Sequence, residues 1–268
     1  MLFHSEKFWI GLRGVINVLL VVYMLAPLVV TLVISFSSAL YLTFPPPGFS
    51  LQWYEKMFSN PTWTRTLWTS VKILIPAAIL ATVFGTAAAL ALSRMESRWA
   101  VAIRGLLMAP LIIPVIITAA AIFGVFRIWG LYGTLSGLVI AHVILTLPFV
   151  LSTVSANLAV FDRRLEDAAS NCGAPPWTAF RRITLPLISP AVMSGMLFAM
   201  VISFDELIVS LFLSTPRVRP VTVQMWSNIK GDTDPTIAAI ATVLFLFSLF
   251  ALLMDGLARR RSGRAPGL

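Results

Sequence analysis

Six long apolar runs, separated by polar segments, dominate the pattern of the chain. They lie near residues 14–36, 71–93, 103–126, 134–157, 187–213 and 236–257. Each run holds about 20 or more residues, the length that a helix rising 1.5 Å per residue needs to cross about 30 Å of hydrocarbon. None of them alternates polar and apolar residues as barrel strands do, and lipid admits only helices and closed barrels. The pattern therefore predicts an all-α polytopic membrane protein with six transmembrane helices.

The composition favours lipid as the main solvent of the chain. Hydrophobic residues make up 58% of the 268 residues and charged residues 12%, whereas soluble domains carry about 25% charged residues. The first run is longer than the roughly 7–15 apolar residues of a signal peptide, so we expect a retained helix. We expect a single transmembrane domain over residues 1–268, with that N-terminal helix followed by core helices over about 71–257.

The distribution of basic residues predicts the topology. The net charge is +9, and lysines and arginines concentrate near the N-terminus, in the segments 94–104 and 163–182, and in the C-terminal "RRRSGR". Because loops rich in Lys and Arg stay in the cytoplasm, we expect both termini there. The placement between apolar runs favours a topology signal over nucleic-acid binding. One cysteine, Cys172, excludes an internal disulfide, and no second histidine or cysteine is spaced with His142 to bind a metal.

A polar segment between the fourth and fifth runs is far longer than a simple connection. It contains about thirty residues, whereas helix–helix connections need about 2–8. Asp162 is placed to cap a short helix over about 163–171, and Gly173 to end that helix in a left-handed conformation. Pro175–Pro176 then starts a second short helix, which Pro186 is expected to break.

These signals predict a helix–turn–helix elbow over about 162–186 that projects into the cytoplasm and docks a partner. Alanines and a glycine leave little side-chain bulk on the first helix and its end, so another body can approach the backbone closely. On the second helix one face suits packing, with Trp177, Phe180 and Ile183.

The residues of this elbow resemble the EAA loop of ABC-importer permease subunits. The order is Glu166, Ala168–Ala169 and Gly173, followed at the matching spacing by Ile183, Leu185 and Pro186. In that family the loop contains the coupling helix, which seats in a cleft of the ATP-hydrolysing subunit. The resemblance implies contact residues Glu166, Asp167, Ala168, Ala169, Gly173 and Ala174, with Ile183, Leu185 and Pro186 supporting them. Asp167 is a small departure, because it makes the match read E-D-A-A.

Further segments extend the resemblance over most of the chain. "FDRRLEDAASNCGAPPWTAFRRITLPLISP", "SFDEL" and "IAAIATVLFLFSL" resemble the second permease subunit of spermidine/putrescine importers. This implies a type I importer permease (MetI-like) fold in the bacterial inner membrane and polyamine import. It also implies a second homologous permease subunit, two ATP-binding subunits and a periplasmic substrate-binding protein. Another small cationic or amphoteric solute, such as an opine, an amine or an aminophosphonate, stays open as the substrate.

No catalytic or cofactor-binding motif accompanies these features. The chain has no G-x-x-x-x-G-K-[ST], so ATP and Mg²⁺ are expected in a partner subunit. We expect no cofactor and no metal in this chain. No nucleophile–base set indicates hydrolysis. We therefore expect a transport subunit rather than an enzyme.

Two adjacent acids lie deep in the fifth run. Asp205 and Glu206 would each cost about 2.5–3.5 kcal/mol at a helix centre. They lie about 100° apart around a helix, and Glu206 shares a stripe of small and polar residues with Gly195, Ala199, Ser203, Ser210 and Ser214. We interpret the acids as candidates for a polycation pathway, with Trp53 as a weaker candidate because interfacial tryptophans usually anchor.

Two alternatives stay open for the acids. They could make a structural ion pair or a hydrogen bond, with His142 as one partner. They could also relay protons in a secondary transporter, which the coupling elbow argues against.

Overall fold

The computed structural model describes residues 2–231 and 234–262. This part of the chain forms twelve α-helices and one π-helical segment. In chain order the helices are α1 (Leu2–Ser35), α2 (Gln52–Ser59), α3 (Pro61–Arg94), α4 (Arg98–Ile112), α5 (Val115–Ile128), α6 (Leu135–Leu158), α7 (Arg164–Asn171), α8 (Pro176–Ala179), the π segment (Phe180–Thr184), α9 (Leu185–Asp205), α10 (Ile208–Leu213), α11 (Val221–Lys230) and α12 (Thr236–Ser262). The all-α prediction is confirmed. The end of the "RRRSGR" tail lies outside the described residues.

Four stretches of the described helices are long and apolar enough to cross a membrane. They are Trp9–Ser35, Pro61–Arg94, Leu135–Leu158 and Pro176–Asp205. The pair α4 and α5 would add a fifth span if it forms one broken span, and α12 has a shorter apolar stretch, Thr236–Phe250. The structure therefore supports a polytopic membrane protein, while the count of six spans stays a prediction.

The third predicted helix, 103–126, is in fact sharply bent. α4 and α5 meet at 108° across Ile113 and Pro114. Ile113 is extended, with φ −78° and ψ 132°, because the ring of a following proline disfavours helical backbone at the preceding residue. Pro114 thus divides this apolar run into two helices, whereas Pro110 lies inside α4.

The expected break at Pro186 is absent. The π segment runs directly into α9, and Pro186 occupies the first turn of α9. Proline has no N–H to donate to the preceding turn, so the regular α pattern cannot continue through Pro186. The N–H of Leu185 donates to the carbonyl of Phe180 in the wider π pattern. The second helix of the elbow and the fifth apolar run are therefore one continuous helical rod, Pro176–Asp205.

The chain divides into two compact units. The first unit comprises Met1–Thr64 and Ser227–Phe247, and between the first two apolar runs it is helical over Gln52–Ser59 and again from Pro61. In this unit Lys56 forms an ion pair with Asp234. Partial burial raises the pKa of Asp234, but hydrogen bonds from Lys56 and Thr236 outweigh burial and hold that pKa below its ordinary value.

The second unit comprises Arg65–Trp226 and Ser248–Leu268. Its α6 packs mainly on α9, and α10 packs on α5. Small residues make these approaches close. A Cβ on Gly85 would lie 2.8 Å from the Cβ of Val150, and a Cβ on Gly195 would lie 3.2 Å from the Cα of Val150. Val150 therefore sits between two glycines of facing helices. The prediction of one permease domain over 1–268 is not tested by this division.

Candidate functional site

The elbow begins with a short helix that ends in a Schellman motif. The carboxylate of Asp162 accepts the N–H of Arg164 at 3.0 Å, so the predicted capping contact is present at the start of α7. At the other end Gly173 has φ +81°, a left-handed conformation that glycine adopts without cost. The N–H of Ala174 donates to the carbonyl of Ala169 at 3.0 Å, which closes the motif. The sequence prediction of the helix end is confirmed.

Glu166 forms hydrogen bonds both within the elbow and to α3. Its Oε1 accepts a hydrogen bond from Arg94 at the end of α3, at 2.8 Å, and another from the hydroxyl of Thr184 in the π segment. Next to it, the guanidinium of Arg163 donates to the carbonyl of Ser93. The acid therefore braces α7 against two other elements. The carboxylate of Glu166 is thus bonded within the chain, and its contact with a partner stays a prediction.

The outer surface of the elbow is open. Asp167, Ala168 and Gly173 are exposed, and a Cβ built on Gly173 meets no atom within 4 Å. Trp177 is 68% exposed, so the predicted packing face of the second helix is open at this residue. Its ring lies 5.5 Å from that of Phe180. An exposed tryptophan beside a patch of small residues is a surface suited to a partner.

The remaining elbow residues divide between support and surface. Ala169, Ala174, Ile183 and Leu185 are half-buried, whereas Pro186 is exposed. The partial burial of Ile183 and Leu185 fits the supporting role that the resemblance implies for these two residues.

The second candidate site is a break in the fifth apolar run. α9 ends at Asp205, and Glu206 is extended, with φ −68° and ψ 108°. The carboxylate of Glu206 then accepts the N–H of Val209 at 2.8 Å, in the first turn of α10. The hydroxyl of Thr222 donates to the carbonyl of Glu206 at 3.3 Å. Glu206 therefore caps the helix that follows the break, where the partial positive charge of an N-terminus favours an acid.

His142 bridges the same break from α6. Its Nδ1 lies 2.8 Å from the hydroxyl oxygen of Ser203, before the break, and its Nε2 lies 3.1 Å from that of Ser210, after it. The imidazole is 2% exposed. A neutral imidazole has one donor and one acceptor nitrogen, and each hydroxyl can supply the complementary role. The alternative in which His142 bonds one of the acids is not seen, because both ring nitrogens contact serines.

The two acids and the tryptophan occupy different environments. Asp205 is exposed on the surface of the chain, and among the described residues no hydrogen bond or ion pair to its carboxylate is seen. Trp53 is 4% exposed, and its indole N–H donates to the carbonyl of Ser37 at 2.7 Å. Burial and this bond favour a structural role for Trp53. Among the described residues, no group of three or more His, Cys, Asp and Glu side chains could hold a metal.

Comparisons with known proteins identify the family of the chain. The model of the family described as "Binding-protein-dependent transport system inner membrane component" matches residues 81–263. The spermidine/putrescine transport system permease protein PotC of Haemophilus influenzae is 33% identical over 94% of this chain and 97% of the relative. The putrescine transport system permease protein PotI of Escherichia coli K12 is 30% identical over 87% of this chain and 85% of the relative.

A solved structure shares the fold. It is a bacterial ABC transporter involved in the import of the acidic polysaccharide alginate, with 14% identity and a TM-score of 0.72 over 96% of this chain and 97% of the matched chain. The sequence match covers the broken helix as well as the elbow, and the structural match covers nearly the whole chain. The protein belongs to the family of inner membrane components of binding-protein-dependent transport systems.

Proposed function

We propose that this chain is a permease subunit of an ABC importer and that it moves a polyamine, spermidine or putrescine, into the cytoplasm. The observation that carries the proposal is the match to polyamine permeases over nearly the whole chain, including 33% identity to PotC. In this proposal the chain makes and breaks no bonds, and the energy comes from ATP hydrolysed with Mg²⁺ in a partner subunit.

The exposed acid at the helix break supports a cationic substrate. An acid in a membrane segment is costly unless it faces a water-filled path or a partner. Glu206 offsets this cost by capping α10, whereas Asp205 has its carboxylate on the chain surface. In the assembled importer, Asp205 faces the pathway formed with the second permease subunit and attracts the ammonium groups of the substrate. Glu206 is assigned to the pathway because its carboxylate lies at the break. Trp53 has only a supporting role.

The elbow is the proposed docking site for the ATP-binding subunits. Asp167, Ala168 and Gly173 are on its open surface, and the Schellman motif and the Glu166 brace hold that surface in one shape. Two ATP-binding subunits would serve the two permease subunits, and a periplasmic binding protein would deliver the substrate. The elbow and both chain termini then lie in the cytoplasm of a bacterium, with the chain in the inner membrane.

The test is the uptake of labelled spermidine and putrescine into cells that express the complete importer and lack other polyamine uptake. Asp205→Asn is expected to lower uptake at least tenfold. Glu96→Gln, which neutralises an exposed acid between α3 and α4, is the matched control and should transport normally. Equal uptake by the two variants would remove Asp205 from the pathway.

The elbow is tested in the same cells with Gly173→Asp and Gly173→Ala. Both variants carry the backbone strain of a side chain at positive φ, of about 1–2 kcal/mol, but only the aspartate adds bulk and charge to the open surface. We expect Gly173→Asp to abolish uptake and co-purification of the ATP-binding subunit, and Gly173→Ala to retain a part of both. Normal uptake by Gly173→Asp would contradict docking at this surface. If the wild-type importer takes up no polyamine but another solute stimulates its ATPase activity, the proposed machinery holds and the substrate is wrong.

A further inference from the structure

An open cavity in the second unit is lined by three cationic side chains. Its volume is about 420 Å³, and its walls include Arg65, Lys72 and Arg217 together with Trp68 and Thr69. No acidic side chain is among its lining residues. Three positive charges around one cavity repel each other, and a bound anion would offset this repulsion. The cavity therefore suits an anion and repels a polyamine, so it lies outside the proposed pathway chemistry.

The geometry of α3 places this cavity at the level of lipid headgroups. Between Lys72 and Arg94 the helix carries no charged residue. The 22 residue steps from one to the other, at 1.5 Å each, give about 33 Å, which is the thickness of the hydrocarbon layer. Arg94 thus stands at one edge of that layer and Lys72 at the other. Arg65, two turns before Lys72, then lies in the headgroup layer itself.

Four of the residues that line the cavity come from α3, and one of them contacts the loop after α10. Arg65, Trp68, Thr69 and Lys72 are at positions i, i+3, i+4 and i+7 and therefore share one face of α3. The guanidinium of Arg65 donates to the backbone carbonyl of Arg217 at 3.0 Å, which joins the loop after α10 to this face. Trp68 is 64% exposed, and an exposed tryptophan at this depth is typical of the membrane interface.

We propose that this cavity binds the phosphate of an anionic phospholipid headgroup in the leaflet opposite the elbow. Arg65 and Lys72 contact the phosphate from α3 and Arg217 from the loop, while Trp68 lies against the glycerol and upper acyl region. Basic residues at a membrane surface attract anionic lipid with about 1 kcal/mol each, which is about a fivefold change in affinity for each charge. The bound lipid fastens the loop after α10 to α3, close in sequence to the helix break.

The test uses the full-length chain in nanodiscs of phosphatidylcholine containing a quarter of phosphatidylglycerol. After mild extraction, native mass spectrometry counts the phosphatidylglycerol molecules retained by each chain. Lys72→Gln and Arg217→Gln are expected to lower this retention about fivefold each. Arg127→Gln removes a charge from an exposed arginine at the end of α5, outside the cavity, and should retain lipid as the wild type does.

Any of the following three results would contradict the proposal. Equal retention of phosphatidylglycerol and phosphatidylcholine by the wild type would show that the cavity does not select an anionic headgroup. Displacement of the lipid by millimolar inorganic phosphate would assign the cavity to free phosphate. If the glutamine variants retain lipid normally but lose stimulation by the binding protein in the assembled importer, the cavity contacts an acidic protein surface instead. Polyamine uptake by the wild type is independent of these outcomes, so the proposed function is judged separately.

Discussion

Replacing His142 by alanine tests whether the broken helix depends on the bridge from α6. Ser203 and Ser210 lie on opposite sides of the break, and the imidazole contacts both hydroxyl groups. Both serines are buried, with exposed fractions of 4% and 0%. In the variant, each hydroxyl loses its partner in a region that water reaches poorly. His142→Ala should therefore destabilise the second unit and loosen α10 relative to α9.

The expected magnitude follows from measured hydrogen bonds in membrane proteins. Such bonds contribute about 0.6 kcal/mol on average and up to about 1.7 kcal/mol, so the two bonds of His142 account for about 1–3 kcal/mol. Loss of the buried ring adds a cavity cost. Thr146→Val is the matched control, because Thr146 is fully buried on the same helix but its hydroxyl donates only to the carbonyl of His142, at 2.7 Å. This control should cost below about 1 kcal/mol.

Unfolding of the purified chain in mixed detergent micelles, followed by tryptophan fluorescence, gives the free-energy differences. In His142→Asn the side-chain amide replaces the imidazole Nδ1 in the contact with Ser203 and does not reach Ser210, so this variant should recover about half of the loss. A double-mutant cycle between His142→Ala and Ser210→Ala should show strong non-additivity. If His142→Ala costs no more than Thr146→Val, or if the cycle is additive, the bridge does not hold the break together.

Three further predictions concern other parts of the chain. The ion pair of Asp234 should stabilise the protein fully above pH 3.8, the ordinary pKa of that group, and this stability should be lost as the pH falls through the lower pKa of the folded state. The difference in unfolding free energy between the wild type and Asp234→Asn, measured against pH, should therefore close in acid. Because Lys56 is 44% exposed, that difference stays below about 1 kcal/mol. Gly85→Ala should lower the thermal unfolding midpoint, since the new Cβ would lie 2.8 Å from that of Val150, whereas Gly124→Ala in open space should leave it equal or higher. Trp177→Ala should leave that midpoint unchanged, because the side chain is 68% exposed, and should weaken co-purification of the ATP-binding subunit; a large drop in the midpoint would place Trp177 in the packed interior.

The elbow was predictable because its signals are local. A capping acid, a glycine at the helix end and a proline pair each act within a few residues, and the structure has the Asp162 contact, the positive φ of Gly173 and a helix from Pro176. The exposure of Trp177 was not predictable, because periodicity identifies an apolar face without saying what covers it. A tryptophan that contacts a partner and a tryptophan in the core occur at the same spacing along a helix.

The helix break was not predictable from the pattern of hydrophobicity. Residues 187–213 form one apolar run, and Asp205 and Glu206 are its only charged residues, so the run reads as a single helix with two unexplained acids. The serines that contact His142 fell on the predicted polar stripe, but His142 lies more than sixty residues earlier in the chain. Pairing between distant helices depends on tertiary packing, which one sequence does not reveal. The bend at Pro114 had a local signal in the proline itself, but its size of 108° did not.

The continuity of Pro176–Asp205 relates the two candidate sites to each other. The second helix of the elbow begins this rod and Asp205 ends it, so about 44 Å of helix, at 1.5 Å per residue, lies between the proposed docking surface and the exposed acid. The π segment keeps the rod unbroken where a proline would otherwise interrupt it. His142 bonds Ser203 before the break and Ser210 after it, so α6 is joined to the end of the rod as well as to α10. The rod therefore links the elbow, at one end, to a break that α6 holds on both sides, and the exposed Asp205 and the capping Glu206 lie at that break.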